Sequence, residues 1–407
     1  MSLMSAENHN NGTAAGAAPE TAPKAALQTA PGVRAIDTDD DGVPALQFND
    51  AELIVPRDDE QLPLQRLEPW LREHLEGAEG ELSLAQFRGG RANLTYLLRF
   101  GAREYVLRRP PLGPIAQGAH DMGREHRVLS RLWRSFELAP RCYLHCTDED
   151  LIGAQFQIME RREGQVIRRQ MPANYANDPR RLQGIADMLV DVLVALHSVD
   201  REQADLAGLG HAPGFVERQL EGWAKRWYAA TDEENPDMDR LVQWLRAHLP
   251  SSNHVALLHN DFKLDNVLLD ACNPCRAVAI LDWDMCTSGD PMMDLGYLMN
   301  QWVESGDDRE DIDMSSLPSH IPGFPDRAYA ISRYAAATGV DVAAIDWYHC
   351  FAAMKFAAVV QQIYIRFARG QTLDQRFAGY GERARANVRK GLKVAGLAPS
   401  TTLPSGT

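Results

Sequence analysis

The strongest constraint on this chain is the run His259-Asn260-Asp261-Phe262-Lys263-Leu264-Asp265-Asn266, followed by two apolar segments and then Leu281-Asp282-Trp283-Asp284. The apolar segments, 267–269 and 277–281, flank a turn through Ala271-Cys272-Asn273-Pro274 and read as a two-stranded hairpin. Asp261 and Asn266 lie five positions apart in a loop that enters the first strand, and Asp282 leaves the second. Pairing of the strands therefore brings the three side chains together. Oxygen ligands for a hard cation, beside a carboxylate that can orient a hydroxyl, are what phosphoryl transfer needs, because that reaction asks for positioning and charge neutralisation. A single loop carboxylate would read as a solvated residue or a helix cap. It is the ordered set, continued by Gly289-Asp290-Pro291 and Asp294-Leu295, that carries the reading.

The flanking sequence sets this loop in a two-part molecule. Segments 82–87, 95–100 and 104–108 have strand character and are separated by Arg88-Gly89-Gly90-Arg91-Ala92-Asn93 and by a turn at Gly101, which reads as an antiparallel meander. A helix over 120–133 and extended segments at 141–145 and 155–160 complete an α+β small lobe with a five-stranded antiparallel sheet. Beyond Gly164 the periodicity is mainly helical, at 180–197, 216–228, 239–248, 325–338 and 344–368. Residues 1–50, rich in Ala, Gly, Pro, Asn and Thr, show no periodicity and are expected to form a disordered tail. Organised structure is expected from Leu64, with a small nucleotide-binding lobe over 64–163, a helical catalytic and substrate-binding lobe over 164–391, and a flexible tail over 392–407.

Charge and composition narrow the partners. A formal net charge of −14 over 407 residues argues against nucleic acid or an anionic membrane as the main partner. No apolar run reaches membrane-spanning length, the N-terminus lacks a secretory signal, and the first arginine comes only at Arg34, unlike a mitochondrial presequence. Six cysteines in so long a chain are too sparse for a disulfide framework, and a cytoplasmic protein is expected. Cys142 and Cys146 around His145, and Cys272 with Cys275, form two loose pairs far apart in the chain without the usual flanking pattern of a zinc site, and they read as ordinary thiols.

On the residues from His259 to Asp284 the chain resembles the aminoglycoside phosphotransferase and choline kinase group of the two-lobed protein-kinase-like fold, over 64–391. The resemblance implies ATP and Mg2+ as cofactors, Asp261 as catalytic base, Asn266 and Asp282 as magnesium ligands, Asp284 as an auxiliary ligand, and Asp294 as a brace of the loop through His259. Asn260 stands where the group usually has Gly. Gly89, Gly90 and Asn93 stand where a phosphate-covering turn belongs, and no Walker loop is present. Arg108 takes the place of the lysine that kinases direct at the phosphates, keeping the charge with a different geometry. Glu125 reads either as its partner or as a surface residue of the following helix. Strand alternation puts Arg109 on the opposite face, as a surface charge. Met159, Glu160 and Arg161 fall at the adenine-contacting connection between lobes, and His197 is assigned to packing.

The Pro-Pro pair after Arg109 and the helix over 120–132 look most like the phosphotransferase domains fused to acyl-CoA dehydrogenases. That likeness implies a hydroxy acid or hydroxyacyl-CoA as the small-molecule acceptor. A protein kinase is disfavoured by the lack of Asp-Phe-Gly and Ala-Pro-Glu. An aminoglycoside phosphotransferase remains an alternative, as does a catalytically inactive nucleotide-binding module, although the base and both metal ligands are present. A polycationic acceptor needs an acidic wall, which Asp232, Glu233, Glu234, Asp237 and Asp239, or Glu304, Asp307, Asp308, Glu310, Asp311 and Asp313, either supply or merely form as solvated loops. Lys263, with Lys355 and Arg366 on a late helix, either faces the cleft and favours an anionic acceptor or forms part of the surface charge. Asp290 is a substrate-contact candidate beside Lys263. It also opens a helix, where a carboxylate is favoured. The oligomeric state is not legible.

Overall fold

In the computed structural model, which describes residues 53–88, 93–111, 121–251, 254–372 and 374–400, the strand segments pair into one antiparallel sheet. Its strands are β1 (Leu53–Ile54), β2 (Leu82–Phe87), β3 (Leu94–Phe100), β4 (Arg103–Arg109), β5 (Cys142–Cys146) and β6 (Phe156–Glu160), in the order β1-β2-β3-β4-β6-β5. Tyr96, Leu98 and Phe100 recur at every second residue of β3, and they share a core with Leu67 and Leu71 of α1 (Leu64–His74). The sheet has six strands where five were expected. The additional β1 pairs Leu53 with Phe87 and is too short to show any period. The expected tail over 1–50, Gly89 and Gly90 of the expected phosphate turn, and residues 112–120 lie outside the described residues.

Helix α2 (Met122–Leu132) starts where the Asp121 carboxylate accepts the Arg124 amide, and it buries Val128, Leu129 and Leu132. The short α3 (Glu149–Ile152) precedes β6. Its last carbonyl corrects one expectation. Arg109 is 5% exposed rather than a surface charge, and its Nη1 donates to Ile152 O at 2.9 Å, a helix-end oxygen that lacks an intrahelical donor.

The remainder is helical: α4 (Ala173–Ala176), α5 (Pro179–His197), α6 (Phe215–Ala229) and α7 (Pro236–Ala247). The strands β7 (Ala256–Leu258), β8 (Val267–Leu269), β9 (Ala277–Ile280) and β10 (Thr287–Gly289) follow, and then α8 (Met292–Gln301), α9 (Arg309–Met314), α10 (Arg327–Thr338), α11 (Ile345–Ala368) and α12 (Tyr380–Val394). The hairpin β8-β9 pairs Val267 with Ile280, as expected. β7 pairs antiparallel with β10, Leu258 opposite Thr287, a pairing hidden by the polar sequence Thr-Ser-Gly. The two ladders hold 259–266 and 281–286 side by side. At the far end α12 reaches Val394, and Ser400 bonds Asp237 through both its amide and its hydroxyl. Residues 392–400 are therefore docked rather than a free tail.

Helix α8 is buried along its whole length, and α11 crosses it at Gly296. A Cβ there would lie 2.6 Å from the backbone of Tyr348. Helix propensity alone favours Ala over Gly by roughly 1 kcal/mol, but overpacking against backbone costs about 1–3 kcal/mol. Gly296→Ala is expected to lower the chemical denaturation midpoint. A raised midpoint would mean that α11 yields without cost.

Candidate active site

The loop after β7 is held by one carboxylate. Asp294, in the first turn of α8 and fully buried, accepts the backbone amides of His259 and Asn260, each at 2.7 Å. His197 also reaches it, with Nε2 3.4 Å from Asp294 Oδ2 and Nδ1 2.7 Å from the Tyr334 hydroxyl, so its packing role extends to the brace. Asn260 has φ 64°, the left-handed region where Gly is easiest and Asn is next best tolerated. Its amide nitrogen donates to Met285 O at 2.9 Å, tying the loop to the segment before β10.

His259 links the two halves of the motif. Its Nε2 lies 2.9 Å from Leu281 O and must donate there, leaving Nδ1 to accept the Asp261 amide at 3.3 Å. Burial pulls its pKa down, which agrees with a neutral ring ordering the loop. Asn266 Nδ2 donates to Asp261 Oδ2 at 2.8 Å and to Asp261 O at 2.9 Å, while Asn266 O accepts the Leu281 amide. Asp261, Asn266 and Asp282 are thus gathered as expected. Asp282 has φ 71°, and this backbone kink sends the following Trp283 inward, where it is fully buried.

The Asp261 carboxylate is clamped on both oxygens. Tyr297 OH donates to Oδ1 at 2.6 Å, and Lys263 Nζ lies 3.2 Å from Oδ2. Burial works against the Lys263 charge, yet Asp261 and Asp265 push its pKa well above the usual lysine range. Asp265 is half-buried, its Oδ1 is shielded from solvent without a hydrogen-bond partner, and burial pushes its carboxyl up. From α11, Lys355 Nζ donates to Asn260 O at 2.6 Å, and burial pulls its pKa down to about 8.

Arg108 joins the small lobe to this centre. Its Nη1 donates to Glu125 Oε1 at 2.5 Å, and its Nη2 donates to Asp282 Oδ1. Glu125 is therefore a buried partner of Arg108 and not a surface residue, and it also accepts from the Gln157 amide side chain and from Trp283 N. Burial opposes the Arg108 charge, but Glu125 and Asp282 raise its pKa further. The same pairing, against the cost of burial, holds Asp282 below the usual carboxylate range. Asp284 behaves oppositely: burial and the neighbouring Asp282 charge push it up to about 7. Two crowded carboxylates with one guanidinium, beside the Asn266 amide, form an oxygen-rich donor set that suits Mg2+. Among the described residues no three His, Cys, Asp or Glu side chains form a metal cage by themselves.

Asp290, a substrate-contact candidate in the sequence, is 4% exposed, with one oxygen accepting the Met292 amide at the start of α8 and the other accepting from Tyr348 OH, so both its oxygens are held within the protein. Asn93 is buried just ahead of β3. Met159 lies within β6 opposite Val106. The Glu160 amide donates to Arg141 O at 2.8 Å and its carboxylate takes the Arg141 amide at 3.0 Å, so a base at this connection would have to be read elsewhere along it. Arg161 lies over the Phe87 ring with its guanidinium 5.3 Å from the centroid. The second acidic run is mostly paired, Glu304 and Asp307 with Arg327, Glu310 with Arg389 and Asp308 with Lys393, and in the first run Asp232 pairs Arg369. Tyr297 was not anticipated. It lies three residues after Asp294, on the same face of α8, and that spacing was its only signal.

The chain matches the family model described as "Phosphotransferase enzyme family" over residues 83–324. Acyl-CoA dehydrogenase family member 11 of Pongo abelii is 30% identical over 347 residues, 83% of this chain and 44% of that protein. The chain therefore spans less than half the length of the curated relatives it matches. Among solved structures, a Ralstonia eutropha protein provisionally named an aminoglycoside phosphotransferase aligns with a TM-score of 0.71 at 30% identity, covering 83% of this chain and 99% of that one. A choline kinase from Cryptosporidium parvum shares the fold at a TM-score of 0.56 and 11% identity, covering 82% and 95%.

Proposed function

The chain belongs to the phosphotransferase enzyme family, and on that premise we propose that it uses ATP and magnesium to phosphorylate a hydroxyl of an anionic small molecule, a hydroxy acid or a hydroxyacyl-CoA. The observation that carries this reading is the Asp261 carboxylate, clamped by Tyr297, Asn266 and Lys263 beside Asp282. The acceptor hydroxyl hydrogen-bonds to Asp261 and passes its proton there as its oxygen bonds to the γ-phosphorus. The bond from that phosphorus to the β–γ bridging oxygen breaks, and ADP leaves. Tyr297 and Asn266 keep the carboxylate aimed, and Lys263 faces the charge that gathers on the transferring group. Asn266, Asp282 and Asp284 would hold the metal, which supplies charge neutralisation at the phosphates. Arg108 keeps Glu125 and meets the phosphates in place of Asp282.

Several carboxylates of the acidic runs are already paired with arginine or lysine, whereas Lys263 and Lys355 put positive charge on two sides of Asp261. The name of the first relative ties its sequence to acyl-CoA chemistry, which supports a hydroxyacyl acceptor. ATP consumption with matched panels of hydroxyacyl compounds and aminoglycosides tests the acceptor: aminoglycoside turnover without hydroxyacyl turnover refutes the anionic assignment. The metal assignment has its own readout. With ligand at 100 times its Kd, ATP and magnesium together stabilise the wild type by about 2.7 kcal/mol. Asp282→Ala is expected to lose most of that shift, and an equal shift would remove Asp282 from the metal site.

A further inference from the structure

Lys355 is 6% exposed, and among the described residues no carboxylate lies within ion-pairing distance of it. Its ammonium lies instead 5.0 Å from the ring centroid of Tyr297 on α8 and 5.5 Å from that of Trp223 on α6, with both rings almost fully buried. The third wall is the Asn260 carbonyl, 2.6 Å from Nζ and one peptide bond from Asp261. Two aromatic rings with a carbonyl oxygen, in the field of Asp261 and Asp294, form a recess chemically suited to an organic cation. Here the chain fills that recess with its own side chain.

We infer that Lys355 determines acceptor specificity: as a tethered cation it occupies an aromatic recess next to Asp261, denying it to the cationic head of a hydroxylated acceptor. This rests on the phosphotransfer reading above and adds the reason for its charge preference. An acceptor bearing an ammonium near its hydroxyl finds the attractive site taken and a like charge in place. An acceptor bearing a carboxylate or phosphate finds the field of Lys355 and Lys263 favourable. Truncating Lys355 opens the recess. Replacing it by Met fills the space without charge, and replacing it by Arg keeps the charge.

The test uses the full chain as wild type, Lys355→Ala, Lys355→Met and Lys355→Arg. Binding of tetramethylammonium is followed by tryptophan fluorescence without ATP, with tert-butanol as the neutral control. Lys355→Ala is expected to bind tetramethylammonium roughly tenfold or more tightly than wild type or Lys355→Met. The ratio of kcat/KM for choline to that for 3-hydroxybutyrate is expected to rise about tenfold in Lys355→Ala and Lys355→Met, and to stay at the wild-type value in Lys355→Arg. Equal tetramethylammonium binding in wild type and Lys355→Ala overturns the inference. If Lys355→Ala fails to fold, an equal acceptor ratio in the Met and Arg variants overturns it. A wild type that consumes no ATP with any acceptor, while Lys355→Ala still captures tetramethylammonium selectively, refutes the phosphotransfer reading and leaves the recess established.

Discussion

Asp261→Asn lowers turnover by about 10²- to 10⁴-fold, the usual loss on removing a positioned base, and leaves the fold and the ATP-dependent thermal shift intact. The surroundings make this a clean substitution. The carboxylate meets donors on both sides, Tyr297 OH at Oδ1 and Asn266 Nδ2 with Lys263 Nζ at Oδ2. An asparagine satisfies the pattern by directing its oxygen at Asn266 and Lys263 and its NH2 at Tyr297, because a phenol hydroxyl can accept as well as donate. Geometry is kept while the capacity to take a proton is lost. Steady-state turnover beside melting temperature separates the two. Near-wild-type turnover by a folded Asp261→Asn protein removes Asp261 from the mechanism.

Glu125→Leu is expected to cost about 3–5 kcal/mol of stability, the range for breaking a buried ion pair by removing one partner. The substitution strands Arg108 with Asp282 alone and leaves Gln157 and the Trp283 amide without their acceptor. The double substitution Arg108→Met with Glu125→Leu removes both buried charges and is expected to recover part of the loss, since an apolar replacement of a whole pair is often close to neutral. Urea unfolding of the two variants checks this. A single-variant cost under roughly 1 kcal/mol, the scale of a surface pair, means that Glu125 and Arg108 do not behave as a buried ion pair.

The gathering of Asp261, Asn266 and Asp282 was legible where the chain writes it contiguously. Asp261 and Asn266 precede a hairpin, and Asp282 follows it, so local strand pairing alone brings them together. The small-lobe meander was legible because its strands carry their own turn signals. What escaped was set by partners remote in sequence. Arg109 is assigned to the surface by strand alternation, but the end of α3, 43 residues away, supplies a carbonyl that buries it. Asp290 has the position of a substrate contact, yet Tyr348 on α11 and the α8 amide hold it. Lys355 and Tyr297 converge on the catalytic loop only because Gly296 lets α11 lie close to α8, a property of three-dimensional packing that no periodicity encodes. β1 is a two-residue strand, below the length at which alternation exists.

The Arg108–Asp282 contact closes a separation of 174 residues, and Glu125 adds Trp283 at 158. Loop-closure entropy makes such contacts late rewards in folding, after local hairpins and helices have formed. One apolar core lies within the small lobe and the other runs from α2 into the helical half, and the charged groups of the site come from both halves. A nascent chain released before its helical half has docked therefore lacks the assembled Arg108–Glu125–Asp282 cluster.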